Sequence, residues 1–281
     1  MTLHAGYMEL AADELVEFLL QETGQVEQGS TNPATVLEYL KLQPVLIDLE
    51  TELPGQRLKP RGVLDFRERI VGVQYDLMEQ RARFTVLHEI GHYVLPTHQN
   101  ELYICDDADL SVWTRNGYER EANTFAADLL FQGDRFTLEA NSLPLNAATV
   151  KELSGKYGAS FEATARRLVE SNFTPCMLAV CARKADSSVI DPSQPPAWTV
   201  RYSIASPSFG NQYFYQVNGD VPGDLAAQVT RPGRDIADSL RQSLVIDAPH
   251  GGRYEVEAEF FSNTYNIFCF LTRPKPMASR N

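Results

Sequence analysis

The sequence predicts an α+β chain in three parts, and three observations carry that expectation. A helical stretch holds the pattern H-E-x-x-H at residues 88 to 92, a second amphipathic helix follows around residue 120, and strand-like runs dominate beyond Thr174. The parts are expected at 1–132, 133–172 and 173–281. With 281 residues, 43% hydrophobic and 22% charged, the chain can bury more than one core and is too apolar to be disordered.

From the start, Tyr7 to Leu20 places Met8, Leu10, Ala11, Leu15, Phe18 and Leu19 at the spacing of an amphipathic helix. Gln21 to Ser30 is polar and reads as a loop. Asn32 and Pro33 open a second helix running to about Leu42, because proline is tolerated in a helix's first turn. Pro44 to Leu49 predicts a short strand. Gly62 to Phe66 and Ile70 to Gln74, on either side of Arg67-Glu68-Arg69, predict a β-hairpin.

Arg83 to Pro96 then carries the motif. Phe84, Leu87, Ile90, Gly91, Val94 and Leu95 recur at helical intervals, and Pro96 ends the pattern. In such a helix His88 and His92 sit one above the other on one face, where two imidazoles can hold one divalent cation. Glu89 lies beside that point, where a general base would take a proton from an activated water. In metallopeptidases a strand just ahead of the metal helix often forms the sheet edge on which a substrate peptide lies. Ile70 to Gln74 is the candidate, with an ordinary internal strand as the alternative.

After an acidic loop at Glu101 to Asp109, Tyr118 to Leu130 reads as the second helix, with Ala122, Phe125, Ala126, Leu129 and Leu130 on its apolar face. Small Ala122 and Ala126 would let it approach the first closely. Two histidines leave a tetrahedral site one protein ligand short. His98 falls ten residues after His88, a spacing used by some zinc peptidases, but Leu95-Pro96 stands where their turn needs glycine, which leaves His98 a loop residue near the cleft. Glu119 has Asn123 four residues on, where an amide could hold a ligand histidine, so Glu119 is the expected third ligand and Glu121 takes a surface or supporting role.

Asn146 to Tyr157, the turn Gly158-Ala159-Ser160, and Phe161 to Ser171 predict helix, turn, helix. The segment is electrically neutral, with Glu162 and Glu170 beside Arg166 and Arg167, so direct DNA binding is not expected of it. Beyond it, strands are expected at Met177 to Ala182, Trp198 to Ile204, Gln212 to Val217, Tyr254 to Phe260 and Tyr265 to Thr272, with a linker at Asp186 to Pro196 and a helix from Asp235 to Leu244. The aromatics Tyr213, Phe214, Tyr215, Phe260, Phe261 and Phe268 read as core rather than as a ligand cage.

The net charge of −12 sits in the first part, where residues 1–132 hold 22 acids against 10 bases, while 133–172 hold five of each and 173–281 ten of each. Such a surface repels nucleic acid and anionic lipid and attracts basic partners. Cys105, Cys176, Cys181 and Cys269 form no C-x-x-C pair and read as reduced packing residues. With no basic leader ahead of an apolar run and no span-length apolar stretch, a soluble cytoplasmic protein without a membrane segment is expected.

Arg83-Phe84-Thr85-x-x-His88-Glu89-x-Gly91-His92, with Glu119-x-Glu121-Ala122-Asn123-x-Phe125-Ala126, resembles the ImmA/IrrE family of bacterial metallopeptidases. The resemblance implies a zincin-like domain in which His88, His92 and Glu119 hold one divalent metal, zinc or else manganese, and Glu89 is the base. Members with known targets cleave helix-turn-helix transcriptional repressors, which implies such a repressor as protein partner. Multi-domain members place a helix-turn-helix region and a GAF-like sensor domain after the peptidase and act in the response to DNA damage and radiation, which adds a small-molecule signal at the C-terminal part. The alternative from another class is a DNA-binding regulator with a structural or sensory metal.

Overall fold

Contacts gather the chain into two units, Met1–Phe136 with Lys156–Ser160 and Thr137–Gly155 with Phe161–Asn281, so the expected middle part 133–172 is divided between them. The computed structural model describes residues 10–26, 28–52, 59–98, 102–111, 114–184, 197–213, 217–231, 233, 235, 238–247 and 252–277. The expected linker at Asp186 to Pro196, with Met8, Phe214 and Tyr215, lies outside the described residues.

In the first unit, α1 (Ala12–Glu22) and α2 (Pro33–Leu40) bury Leu15, Leu19, Leu20, Val36, Leu37 and Leu40. Asn32 caps α2 by accepting from the Ala34 N–H at 3.0 Å, and Lys41 ends it in the left-handed region at φ 57°. A four-stranded sheet follows from β1 (Gln43–Ile47), β2 (Pro60–Asp65), β3 (Ile70–Gln74) and β4 (Leu102–Asp106), with a single helical turn, α3 (Leu49–Glu52), after β1. The spatial order is β1-β3-β2-β4, with β1 parallel to β3 and the other pairs antiparallel.

That order corrects two expectations. Ile70 to Gln74 is not the sheet edge, since β3 pairs with β1 on one side and β2 on the other. Its run Val71-Gly72-Val73-Gln74 is buried throughout, the pattern of a strand covered on both faces. The edge beside the metal helix is β4, formed within the acidic stretch expected as loop. Tyr103 and Cys105 alternate inward there, and among the described residues no strand pairs with its outer side.

Two helices complete the frame of the site. The first, α4 (Glu79–Val94), stops where Leu95 turns extended ahead of Pro96, as the residue before proline must. Asn116 caps α5 (Gly117–Phe131) by accepting from the Tyr118 N–H at 3.1 Å. The two helices touch at Gly91, where an added Cβ would stand 3.2 Å from Phe125 Cδ1 and 3.3 Å from the Ala122 carbonyl oxygen. Gly91 and Ala122 together permit this approach, with Ala126 also wholly buried.

After α6 (Asp134–Ser142), the helix pair forms as α7 (Ala147–Tyr157) and α8 (Phe161–Glu170). The second unit is built on six strands, β5 (Cys176–Arg183), β6 (Trp198–Ala205), β7 (Asp220–Val221), β8 (Leu240–Asp247), β9 (Arg253–Ser262) and β10 (Ile267–Pro276). They lie in the order β7-β6-β5-β10-β9-β8, antiparallel throughout. Alternation splits the sheet's two faces. Met177, Ala179, Cys181, Ile267, Cys269 and Leu271 form one core with residues of α9 (Pro207–Tyr213) and α10 (Gly223–Val229). On the opposite face Phe261 and Phe268 meet Phe161 of α8 at ring distances of 5.7 and 5.2 Å.

Two expectations fail in this unit. Of the expected helix at Asp235 to Leu244, the part from Leu240 on is instead β8, because Leu240 and Leu244, four apart, satisfy both a helical and an alternating pattern, and adding Ile246 puts all three on one strand face; residues 236 and 237 lie outside the described residues. The expected strand at Gln212 to Val217 begins inside α9, which Phe209 anchors with its wholly buried ring. All four cysteines are buried and free. Among the described residues no helix is long and apolar enough to cross a membrane.

Candidate metal centre

The 3.6-residue period of α4 aims the rings of His88 and His92 at one point, and the first turn of α5 brings Glu119 to it. His88 Nε2 and His92 Nε2 are 3.0 Å apart, and Glu119 Oε2 lies 3.0 Å from the first and 3.2 Å from the second. Around a tetrahedral zinc with bonds near 2.05 Å, neighbouring ligand atoms stand about 3.3 Å apart. The triangle therefore has nearly the size of one face of such a site, so the residues fit the ion. Burial opposes ionisation of Glu119, yet the two imidazoles outweigh it and hold this carboxyl down at about 2. Burial pushes His92 down to about 4, which keeps its ring neutral and able to ligate.

The groups behind the ligands fix which nitrogen is offered. Asn123 donates through Nδ2 to the carbonyls of Asp109 at 2.6 Å and Ser111 at 3.2 Å, so its Oδ1 must face His88 Nδ1, 3.0 Å away. A carbonyl oxygen accepts, hence His88 carries its proton on Nδ1 and presents the lone pair of Nε2. His92 is stacked on Tyr103 of β4 at 4.1 Å between centroids.

Glu89 follows His88 on α4, with a carboxylate oxygen within 4.8 Å of a His88 ring nitrogen, and it also reaches β2 and β4. Its Oε1 accepts the thiol proton of Cys105 at 2.8 Å, while Oε2 is buried with no hydrogen-bond partner among the described residues. Burial pushes its pKa up to about 7, against the pull of His88 and Cys105. A buried carboxylate with one satisfied and one open oxygen, poised near neutrality, suits a general base. Space for it comes from β2, since a Cβ on Gly62 would stand 2.4 Å from Glu89 Oε1 and 2.6 Å from Thr85 Cγ2. A side chain at that position would displace the base.

The structure thus brings His88, Glu89, His92 and Glu119 together. His98 is not at the triangle. It is buried on the far side of His92, with its Nδ1 2.7 Å from His92 Nδ1 and its Nε2 3.3 Å from Glu121 Oε2. Sequence reasoning missed Cys105, Tyr103 and this histidine link. The alternation Leu102-Tyr103-Ile104-Cys105 could have signalled a strand; nothing in the spacing of His98 announces its partner. Cys105 also falls with His88 and Glu89 in a second group whose donor atoms lie within 4.8 Å of one another. Burial raises that thiol well above its ordinary range, so it stays protonated and the His88, His92, Glu119 set is the better donor set.

Residues 48–169 match the family model of the IrrE N-terminal-like domain, a peptidase family. A solved structure described as a Mycobacterium tuberculosis transcriptional regulator is similar over 92% of this chain and 75% of its own, with a TM-score of 0.52 and 17% identity. At that identity the likeness is one of fold. No curated protein matches the chain. The motif helices and the converging donors lie inside the matched span, so the segment 48–169 carries an IrrE N-terminal-like peptidase domain.

Proposed function

We propose that the protein is a cytoplasmic metal-dependent endopeptidase that cleaves a helix-turn-helix transcriptional repressor and so induces a stress response of the DNA-damage or radiation type. The observation that carries the chemistry is the convergence of His88, His92 and Glu119, with Glu89 adjoining His88 and one of its buried oxygens open among the described residues. Two imidazoles and one carboxylate favour zinc, with manganese as the other fit. A divalent cation held there would polarise the scissile carbonyl and acidify a water. Glu89 takes the proton of the attacking water and passes it to the leaving amine. The outer edge of β4 offers backbone groups to an extended substrate segment, next to Tyr103 and Cys105. The acidic excess over residues 1–132 suits a basic, DNA-binding substrate.

The helix-turn-helix and the GAF-like sensor remain part of the same reading. In α8, Thr164, Ala165, Leu168 and Val169 are buried, Arg166 pairs with Glu170 at 2.7 Å, and Glu162 accepts from Tyr202 at 2.8 Å and Asn266 at 2.9 Å. Few of its side chains are left to reach base edges, so α8 serves the packing of the second unit. That unit has an open cavity of about 750 Å³ whose lining includes Asn146, Arg241, Glu257, Glu259 and Arg273, a place for a small polar ligand.

The likeness to a transcriptional regulator favours the second reading, a DNA-binding regulator with a structural metal. One assay separates the two. Purified protein, a candidate repressor and zinc should give two fragments that chelator abolishes, and Glu89→Gln should retain zinc but lose cleavage by about 10²- to 10⁴-fold. Retarded operator DNA with an intact repressor would establish the second reading, and cleavage by Glu89→Gln at the native rate would remove Glu89 as base.

A further inference from the structure

We propose that His98 and Glu121 are positioning residues that set, through His92, how tightly the centre holds its cation. The inference rests on the reading of His88, His92 and Glu119 as a cation site. Once His92 gives its Nε2 lone pair to an ion, the neutral ring must carry its proton on Nδ1. That proton faces His98 Nδ1 at 2.7 Å, which must then accept. His98, a neutral ring accepting at Nδ1, carries its own proton on Nε2 and donates it to Glu121 Oε2 at 3.3 Å. Binding of an ion thereby fixes every tautomer along a line from the ligand to a carboxylate.

The line also crosses from interior to surface. The His92 and His98 side chains are 0% exposed and Glu121 is 55% exposed. Thr97 donates to the same Glu121 oxygen at 3.2 Å, and the ring of Tyr118 meets His98 edge-on at 5.2 Å, so the relay is held from two sides. A ligand histidine whose second nitrogen donates to a carboxylate is turned to face the metal and made more basic. Here one extra imidazole lengthens that link, so that a surface charge on α5, two residues from the ligand Glu119, acts on a ligand carried by α4.

The test measures zinc affinity by chelator competition. His98→Ala removes the acceptor and should weaken zinc by about 10- to 100-fold. In His98→Asn the amide oxygen stands near the lost Nδ1, and most of the affinity should return. Glu121→Gln, on the surface and safe for folding, should weaken zinc by roughly 2- to 10-fold in the native background and add nothing to His98→Asn. That rescue and that loss of additivity are effects a merely structural role would not produce. Native affinity in His98→Ala or in Glu121→Gln overturns the inference, as does an equal effect of Glu121→Gln in both backgrounds. Should His98→Ala not fold, the Glu121→Gln and His98→Asn pair decides alone. A native protein that binds no zinc overturns the reading of the site itself, and this inference with it.

Discussion

Glu89 is a side chain whose environment works against its own charge, and that has a cost in stability that can be measured. Its pKa is pushed up from 4.5 to about 7, chiefly by burial. A raised folded-state pKa means that the folded protein holds the proton more tightly than the unfolded chain, so its contribution is full below pH 4.5 and is lost as pH rises through 7. A shift of this size corresponds to about 3 kcal/mol. Glu119, held at about 2, and His92, pushed to about 4, act in the opposite sense and lose stability as pH falls. Comparison with Glu89→Gln therefore isolates the first effect. In chelated protein, denaturant unfolding at pH 5 and pH 8 should show the native chain losing about 2–3 kcal/mol more than Glu89→Gln over that interval, since part of the effect is already lost by pH 5. Parallel pH profiles for the two would mean that Glu89 is not desolvated as the geometry requires.

Among the elements, the metal site depends on how closely α4 and α5 approach. Gly91→Val would drive its side chain into Phe125 and the Ala122 carbonyl, with first contacts at 3.2 and 3.3 Å from Cβ alone. Overpacking of this kind costs about 1–3 kcal/mol. Because Glu119 rides on the helix pushed away, zinc affinity should fall together with the melting temperature, and a variant that melts lower but binds zinc natively would uncouple the two. Much of this pair was legible beforehand: the period of Leu87, Ile90 and Val94, the small Ala122 and Ala126, and Asn123 four residues after Glu119 all follow from helical geometry. The strands were read less well. Pairing partners are not local, so the run at Ile70 to Gln74 revealed a strand but not that β1 would pair with its far side. In Leu102 to Asp106 the flanking acids hid a five-residue strand, and Leu240 with Leu244 suited two periods at once. The contact between His92 and His98 depends on how the chain turns after Pro96, which periodicity does not describe.

For the whole molecule, the sequence told the two units apart unequally. The first has a motif whose chemistry demands a particular geometry, while the second has only alternating apolar residues that any antiparallel sheet would satisfy. β5, β6, β9 and β10 could be located, but not β7 or β8, nor the order β7-β6-β5-β10-β9-β8. Among the described residues no strand pairs with the outer side of β4, and under the proposed function this has one more consequence, for the substrate. A segment that pairs with it must be extended over several residues, and a folded repressor offers such a segment only while it is locally open. Under that proposal cutting would sample the breathing of the target, and its rate would follow the open population when closing outpaces cleavage. A repressor stabilised by about 1.4 kcal/mol around the cut should be cleaved about tenfold more slowly, with the peptidase unchanged. Equal rates for stabilised and native repressor would show that the cut segment is already extended. The edge strand would in that way make the enzyme a gauge of how loosely its target is folded.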